Sequence, residues 1–238
     1  MNRLGFAAVA LAATATFASP AAAQGACSRE LLQGIADNWI SGVKKGSPFE
    51  MNLGEWVDYR ENLEIGFLSA FFDNQARTVD FSRALLDTTS CKTFVEAVLL
   101  NPERPMVLTT QLTNGFFGVG PIDNLVTDKG DWKFDAKTTL DSVKAEQWTE
   151  IPADKRMSRQ DLTAAANAWL DARAANGATT ADRLYVIDEV LGGVNVLARL
   201  GTDRLPASFT FRIEDGQVKA THVAVNCGEK ANCSAPGL

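Results

Sequence analysis

The stretch that decides the fold is SFTFRIEDGQVKATHVAV, residues 208–225. Apolar and polar side chains alternate on both sides of Asp215-Gly216, which is the pattern of two antiparallel strands joined by a tight turn. Alternation places His222, the single histidine, on a face lined by small side chains, whereas the opposite face is β-branched. We therefore predict a β-hairpin whose second strand presents this imidazole.

Strand patterns precede this hairpin in both halves of the chain. In the second half they cover residues 184–190 and 194–200, and in the first half 81–86, 93–100, 106–112, 124–127 and 132–134. Segments 81–86 and 93–100 are also compatible with helix. The polar segment 136–155 is expected to connect the halves.

Two further segments, 28–45 and 158–175, align with each other and read as amphipathic helices. The identical pairs are Ser28/Ser158, Arg29/Arg159, Leu32/Leu162, Ala36/Ala166 and Trp39/Trp169. Each serine is suited to cap the helix that follows it. Either duplication or convergence would explain the likeness. The sequence does not decide between them, because no alignment continues beyond the helices. The prediction is an α+β fold in which helices pack on curved antiparallel sheet, with duplicated halves at 27–137 and 156–227.

Residues 1–23 have the pattern of a secretory signal: one basic residue, an apolar stretch, then Ala21-Ala22-Ala23 before the predicted mature domain, 24–238. The protein is therefore expected in the periplasm or outside the cell.

The four cysteines then predict two disulfides. Three pairings exist, and we predict Cys227–Cys233, which are close in sequence, and Cys27–Cys91.

Composition excludes several classes of function. The net charge of -6 argues against nucleic acid and anionic membrane surfaces as partners. A single histidine excludes a multi-histidine metal site. We expect no metal and no cofactor, and a small molecule as the partner, with a homodimer as an additional prediction.

Five segments carry a resemblance to a known family. VIDEVLGGVNVLARLG (186–201) and ASFTFRIEDGQVKATHVAV (207–225) resemble the closing half of NTF2-like (SnoaL-like) cone folds. CSRELL (27–32), RALLDTTSCKTFVEAV (83–98) and NLVTDKGDWKFD (124–135) resemble a secreted family of that fold. The resemblance implies a curved antiparallel sheet around a cavity, with a wall carboxylate as general base. A weaker resemblance points to the γ-formaldehyde lyases of lignin-dimer catabolism.

Four residues are the candidates for catalysis. His222 is predicted to act as general acid/base, since an imidazole titrates near neutral pH. Asp188, in an otherwise apolar strand, is predicted as a second proton-transfer group. Tyr59 and Arg60 are predicted to donate hydrogen bonds to a substrate oxygen. The alternatives are a core or edge histidine, a solvent-facing carboxylate, and a buried tyrosine ring in a polar loop.

The leading hypothesis is a cofactor-independent lyase or isomerase acting on a small apolar, aromatic substrate, as in the catabolism of aromatic compounds. The alternative is a non-catalytic periplasmic module that binds a ligand or dimerises. The enzymatic hypothesis requires His222 to face an open cavity.

Overall fold

The computed structural model describes residues 27–238, so the predicted signal segment lies outside the described residues. The fold is α+β, as predicted. The first half consists of α1 (Arg29–Lys45), β1 (Leu53–Glu61), β2 (Glu64–Ile65), α2 (Leu68–Phe72), β3 (Phe81–Asp87), β4 (Lys92–Leu99), β5 (Met106–Gly115) and β6 (Gly118–Thr127). The connecting segment contains α3 (Ala136–Ala145). The second half consists of α4 (Arg159–Ala174), β7 (Thr180–Asp188), β8 (Gly193–Leu200), β9 (Leu205–Glu214) and β10 (Gln217–Val225).

Both predicted helices form and are capped as expected. Ser28 Oγ accepts a hydrogen bond from the Leu31 amide at 3.1 Å, and Ser158 Oγ accepts one from the Asp161 amide at the same distance. Gly46 ends α1 in the left-handed region at φ 66°, where glycine carries no steric penalty. The amphipathic stripes bury their apolar side chains against the two sheets.

The strands form a six-stranded sheet of order β2-β1-β6-β5-β4-β3 and a four-stranded sheet of order β10-β9-β8-β7. The second sheet is antiparallel throughout, and its last hairpin turns at Asp215-Gly216 as predicted. The first sheet is mixed, because β1 runs parallel to β6. The prediction of purely antiparallel sheet is therefore wrong at this edge. Each half nevertheless contains a long helix and four consecutive antiparallel strands, β3–β6 and β7–β10, although β1, β2 and α2 come between α1 and β3 in the first half.

Several elements escape the sequence patterns. Strand β1 has a register shift between Leu53 and Asp58, which disrupts the alternation of its side chains. Helix α3 lies in the segment predicted as a polar connection. The sequence gives little sign of this helix, because only Ala136, Leu140 and Val143 of its residues are buried. The predicted strand 132–134 is wrong: these residues form a turn in which Lys133 has φ 46°, a conformation that a strand excludes.

Both predicted disulfides are present, Cys27–Cys91 and Cys227–Cys233. One large core lies beneath α1 and a second beneath α4. A small cluster centred on Leu85, Phe94 and Val186 lies between the halves.

Two crossed ion pairs also join the halves. Arg29 at the start of α1 binds Asp188 at the end of β7, with Nη1–Oδ1 at 2.7 Å and Nη2–Oδ2 at 3.1 Å. Arg159 at the start of α4 binds Asp87 at the end of β3, with corresponding distances of 2.6 and 2.8 Å. Each carboxylate also accepts a backbone amide of the opposite half. The aligned arginines of the two helices therefore make equivalent contacts, and the likeness extends into the strands.

Candidate functional site

His222 lies on β10 and is bound at both ring nitrogens. Nδ1 contacts Glu96 on β4, with Oε1 at 2.8 Å and Oε2 at 2.9 Å, and Nε2 contacts Glu146 Oε1 at 2.7 Å. Its side chain is only 14% exposed. Since Glu96 belongs to the first half and His222 to the second, the imidazole links the two sheets. Each ring nitrogen thus has a carboxylate partner.

Arg83 and Trp148 complete this cluster around Glu146. Arg83 Nη1 lies 3.1 Å from Glu146 Oε2, and the same oxygen accepts the Trp148 indole N–H at 2.7 Å. The Arg83 guanidinium also stacks on the Trp148 ring at 4.2 Å from its centroid. The carboxylate next to His222 is thus held in place by two further side chains.

The carboxylates determine the charge of this cluster. Burial alone would lower the pKa of His222, but Glu96 and Glu146 outweigh burial and raise it to about 9. Burial would likewise raise the pKa of Glu146, but its contacts with His222, Trp148 and Arg83 lower it to about 2. The two carboxylates therefore favour the protonated, cationic form of the imidazole at neutral pH.

The cavity beside His222 is small, with a volume of about 60 Å³. Polar groups line much of it, including Glu96, Ser208, Thr210 and the buried Thr109 hydroxyl, which has no hydrogen-bond partner in the described part of the chain. Ligand pockets typically occupy about 300 to 1,000 Å³. This space accommodates a few water molecules but not an aromatic substrate.

The other predicted site residues lie elsewhere. Within residues 27–238, no hydrogen bond or ion pair joins any two of His222, Asp188, Tyr59 and Arg60. Asp188 is fully buried and accepts the Arg29 guanidinium and the amides of Leu86, Val190 and Leu191. Both of its oxygens therefore accept hydrogen bonds from the protein, and its role as a second proton-transfer group stays a prediction.

Tyr59 and Arg60 cannot act on one substrate atom, because neighbouring residues of a strand face opposite sides. Tyr59 is buried in the first core, where its hydroxyl donates to Glu61 Oε2 at 2.6 Å and accepts from Asn124 at 3.2 Å. Burial and Glu61 raise the pKa of Tyr59. Arg60 pairs with Asp58 at 3.0 Å and Asp123 at 3.3 Å.

Sequence reasoning missed both partners of His222. Glu96 carried a signal, since it is the one carboxylate within the apolar strand FVEAVL, residues 94–99. Glu146 carried none, because it lies in a polar segment among other charged residues. Only the folded structure brings either residue to the imidazole.

A ligand-sized cavity lies in the first half of the chain, between the segment after α2 and the β4–β5 loop. Its volume is about 330 Å³, and its lining includes Arg77, Arg104 and Met106. A recess of about 40 Å³, which contains Glu61 and Phe71, shares these three residues. We call this cavity and its recess the Arg77 mouth. A larger open groove of about 540 Å³ runs between Arg199 and the Cys227–Cys233 tail.

Among residues 27–238, no group of histidine, cysteine and acidic side chains has the arrangement of a metal site, and no helix is long and apolar enough to cross a membrane. Comparison of the chain with protein-family models, curated proteins and solved structures finds no match.

Proposed function

We propose that the protein is an exported, non-catalytic ligand-binding module with an NTF2-like α+β fold. Export is supported by the signal pattern of residues 1–23 and by two disulfides, which persist in oxidising compartments. The cone-type fold is supported by helices packed on antiparallel strands in each half.

The observation that carries this proposal is the state of His222. An acid/base catalyst needs a nitrogen within reach of the substrate, a pKa near the working pH and room for the reacting group. His222 has both nitrogens occupied, a pKa near 9 and a cavity of about 60 Å³. The Arg77 mouth has the volume that a small ligand requires.

The test exposes the purified mature protein to lignin-type dimers and ketosteroid-like compounds. Formaldehyde and ultraviolet absorbance report turnover, and thermal shift reports binding across a broader panel of small metabolites. We expect no turnover above background but saturable stabilisation by at least one class of ligand. Turnover that disappears in a folded His222→Gln variant, but persists in Arg204→Gln, would favour the lyase or isomerase hypothesis and refute this proposal.

A further inference from the structure

We propose that the Arg77 mouth binds a small zwitterion, an α-amino carboxylate with an apolar side chain. This inference rests on the ligand-binding function proposed above and names the class of ligand. Three features of the mouth support it: an incompletely satisfied buried guanidinium, charges of both signs, and apolar residues in the lining.

The guanidinium of Arg77 is the first feature. Its side chain is only 9% exposed. Nη2 donates to the Phe71 carbonyl at 2.7 Å and to Asp73 Oδ1 at 2.8 Å, but the buried Nη1 has no partner in the described part of the chain. A buried N–H without an acceptor is costly, and a guanidinium pairs best with a carboxylate. Arg77 therefore places a cation with one unused N–H donor group at the wall of the cavity, and a ligand's carboxylate would reach this group from the cavity or its recess.

The charges at the rim are the second feature. Arg104 lines the same cavity, and it contacts Asp128 only through Nε in a side chain that is largely exposed. The cavity also contains the acidic residues Asp73 and Glu103, and the recess adds Glu61, so three acidic side chains lie beside the two arginines. A ligand that carried only negative charge would be attracted by the arginines and repelled by the carboxylates. A zwitterion satisfies both, with its carboxylate at Arg77 and its ammonium towards Glu103.

The apolar lining is the third feature. Ala76, Pro102 and Met106 contribute to the wall, and Met106 also lines the recess behind the cavity. Methionine adapts its shape to an apolar group and contacts aromatic rings favourably. A volume of about 330 Å³ suits a single amino acid with a large apolar side chain.

Isothermal titration of the disulfide-intact mature protein tests each feature separately. The probes are L-phenylalanine and L-methionine, L-phenylalanine amide, which lacks the carboxylate, and 3-phenylpropionate, which lacks the ammonium group. We expect both amino acids to bind and both analogues to bind at least about tenfold more weakly, the cost of losing one charge-assisted hydrogen bond. Equal binding of 3-phenylpropionate and L-phenylalanine would overturn the zwitterion assignment, as would the absence of binding by either amino acid.

Variants locate the site. Arg77→Gln is expected to weaken binding of L-phenylalanine about tenfold to a hundredfold. Ala76→Trp leaves Arg77 unchanged but enlarges a side chain that lines the cavity, so it is expected to obstruct the cavity and weaken binding even if Arg77→Gln fails to fold. Arg204→Gln controls for the loss of an arginine outside the Arg77 mouth: Arg204 pairs with Asp182 there, although its side chain is 56% exposed and that of Arg77 is 9% exposed.

Unchanged binding in Ala76→Trp would place the ligand elsewhere and overturn the inference. The proposed function would survive that result if another ligand bound without turnover. Turnover dependent on His222 would instead refute the proposed function, so the two failures are distinguishable.

Discussion

At the scale of the residue, buried aspartates join the two halves of the chain. Asp188 and Asp87 each accept an arginine and backbone amides from the opposite half, and both carboxylates are fully buried. A buried carboxylate is costly unless it is paired and hydrogen-bonded, so each aspartate depends on its arginine. The sequence singled out Asp188 because it interrupts an apolar strand, and burial accounts for that pattern without any catalytic role.

Removing either carboxylate's charge is expected to destabilise the protein strongly. Asp188→Asn and Asp87→Asn each leave a half-buried arginine unpaired, which we expect to lower the free energy of unfolding by about 3 kcal/mol. Urea denaturation at pH 7 measures the change. Asp141→Asn, which breaks the exposed pair with Lys137, is the control and is expected to cost less than about 1 kcal/mol. Equal losses in all three variants would contradict the crossed-pair account.

Acid is expected to weaken the Arg159–Asp87 pair. Burial would raise the pKa of Asp87, but Arg159 and the Ser90 and Ile187 amides outweigh burial and lower it below its ordinary value of 3.8. A depressed pKa in the folded state stabilises the protein above the unfolded pKa, and this contribution is lost as the pH falls through the folded pKa. Asp87→Asn should therefore show a shallower loss of stability below pH 4 than the parent, when urea midpoints are compared.

At the scale of the element, local patterns predicted both long helices and the antiparallel set of the second half. Serine caps, apolar stripes and the Asp215-Gly216 turn are short-range signals, and each formed as expected. Strand β1 could not be predicted in the same way, because its pairing with β6 brings together residues more than sixty positions apart and includes a bulge. The same holds for the residues around His222. The pattern of a single strand was enough to single out His222, whereas Glu96 and Glu146 contact it only in the tertiary fold.

The turn between β7 and β8 requires glycine at position 192. Gly192 has φ 56°, and an added Cβ would lie 2.3 Å from the Ile213 carbonyl oxygen. Gly192→Ala is therefore expected to lower the free energy of unfolding by about 1 to 3 kcal/mol. Gly34→Ala is the matched control, because Gly34 lies within α1 with open space around its Cβ position and alanine there should stabilise by about 0.5 to 1 kcal/mol. A neutral Gly192→Ala variant in thermal denaturation would refute this explanation of the turn.

At the scale of the whole molecule, one edge of the first sheet is exposed. The outer side of β1 carries β2 only at Arg60 and Glu61, and large aromatic side chains lie near its beginning, with Trp56 85% and Phe116 95% exposed. The backbone carbonyls of Trp56 and Phe117 both lie 3.7 Å from the Cβ position of Gly54, so these aromatics share one end of the sheet. Unpaired strand edges and exposed apolar patches favour association with another chain.

The predicted homodimer is therefore expected to use this edge. Light scattering after size-exclusion chromatography should show a mass that increases with protein concentration, and Phe116→Ser with Phe117→Ser should shift the protein to the monomer. Phe49→Ser, a change at the equally exposed side chain before β1, tests how far the interface extends. A monomer at every concentration would refute this prediction.

The charges at the junction between the halves should make the stability of the protein depend on pH. The folded pKa of His222, near 9, lies above the ordinary value of 6.5, so the His222 ion pairs stabilise the protein fully below about pH 6.5. That contribution is lost as the pH rises towards 9. His222→Gln should remove this alkaline dependence, and urea midpoints between pH 6 and 9.5 report it.

The most direct measurement is a proton NMR titration of the His222 ring. Because this is the chain's single histidine, its ring resonances in the mature protein need no assignment by mutagenesis. A cationic link between Glu96 and Glu146 predicts a pKa near 9 that falls towards the ordinary value in Glu96→Gln. A parent pKa at or below 6.5 would contradict the account and restore the imidazole as a candidate base.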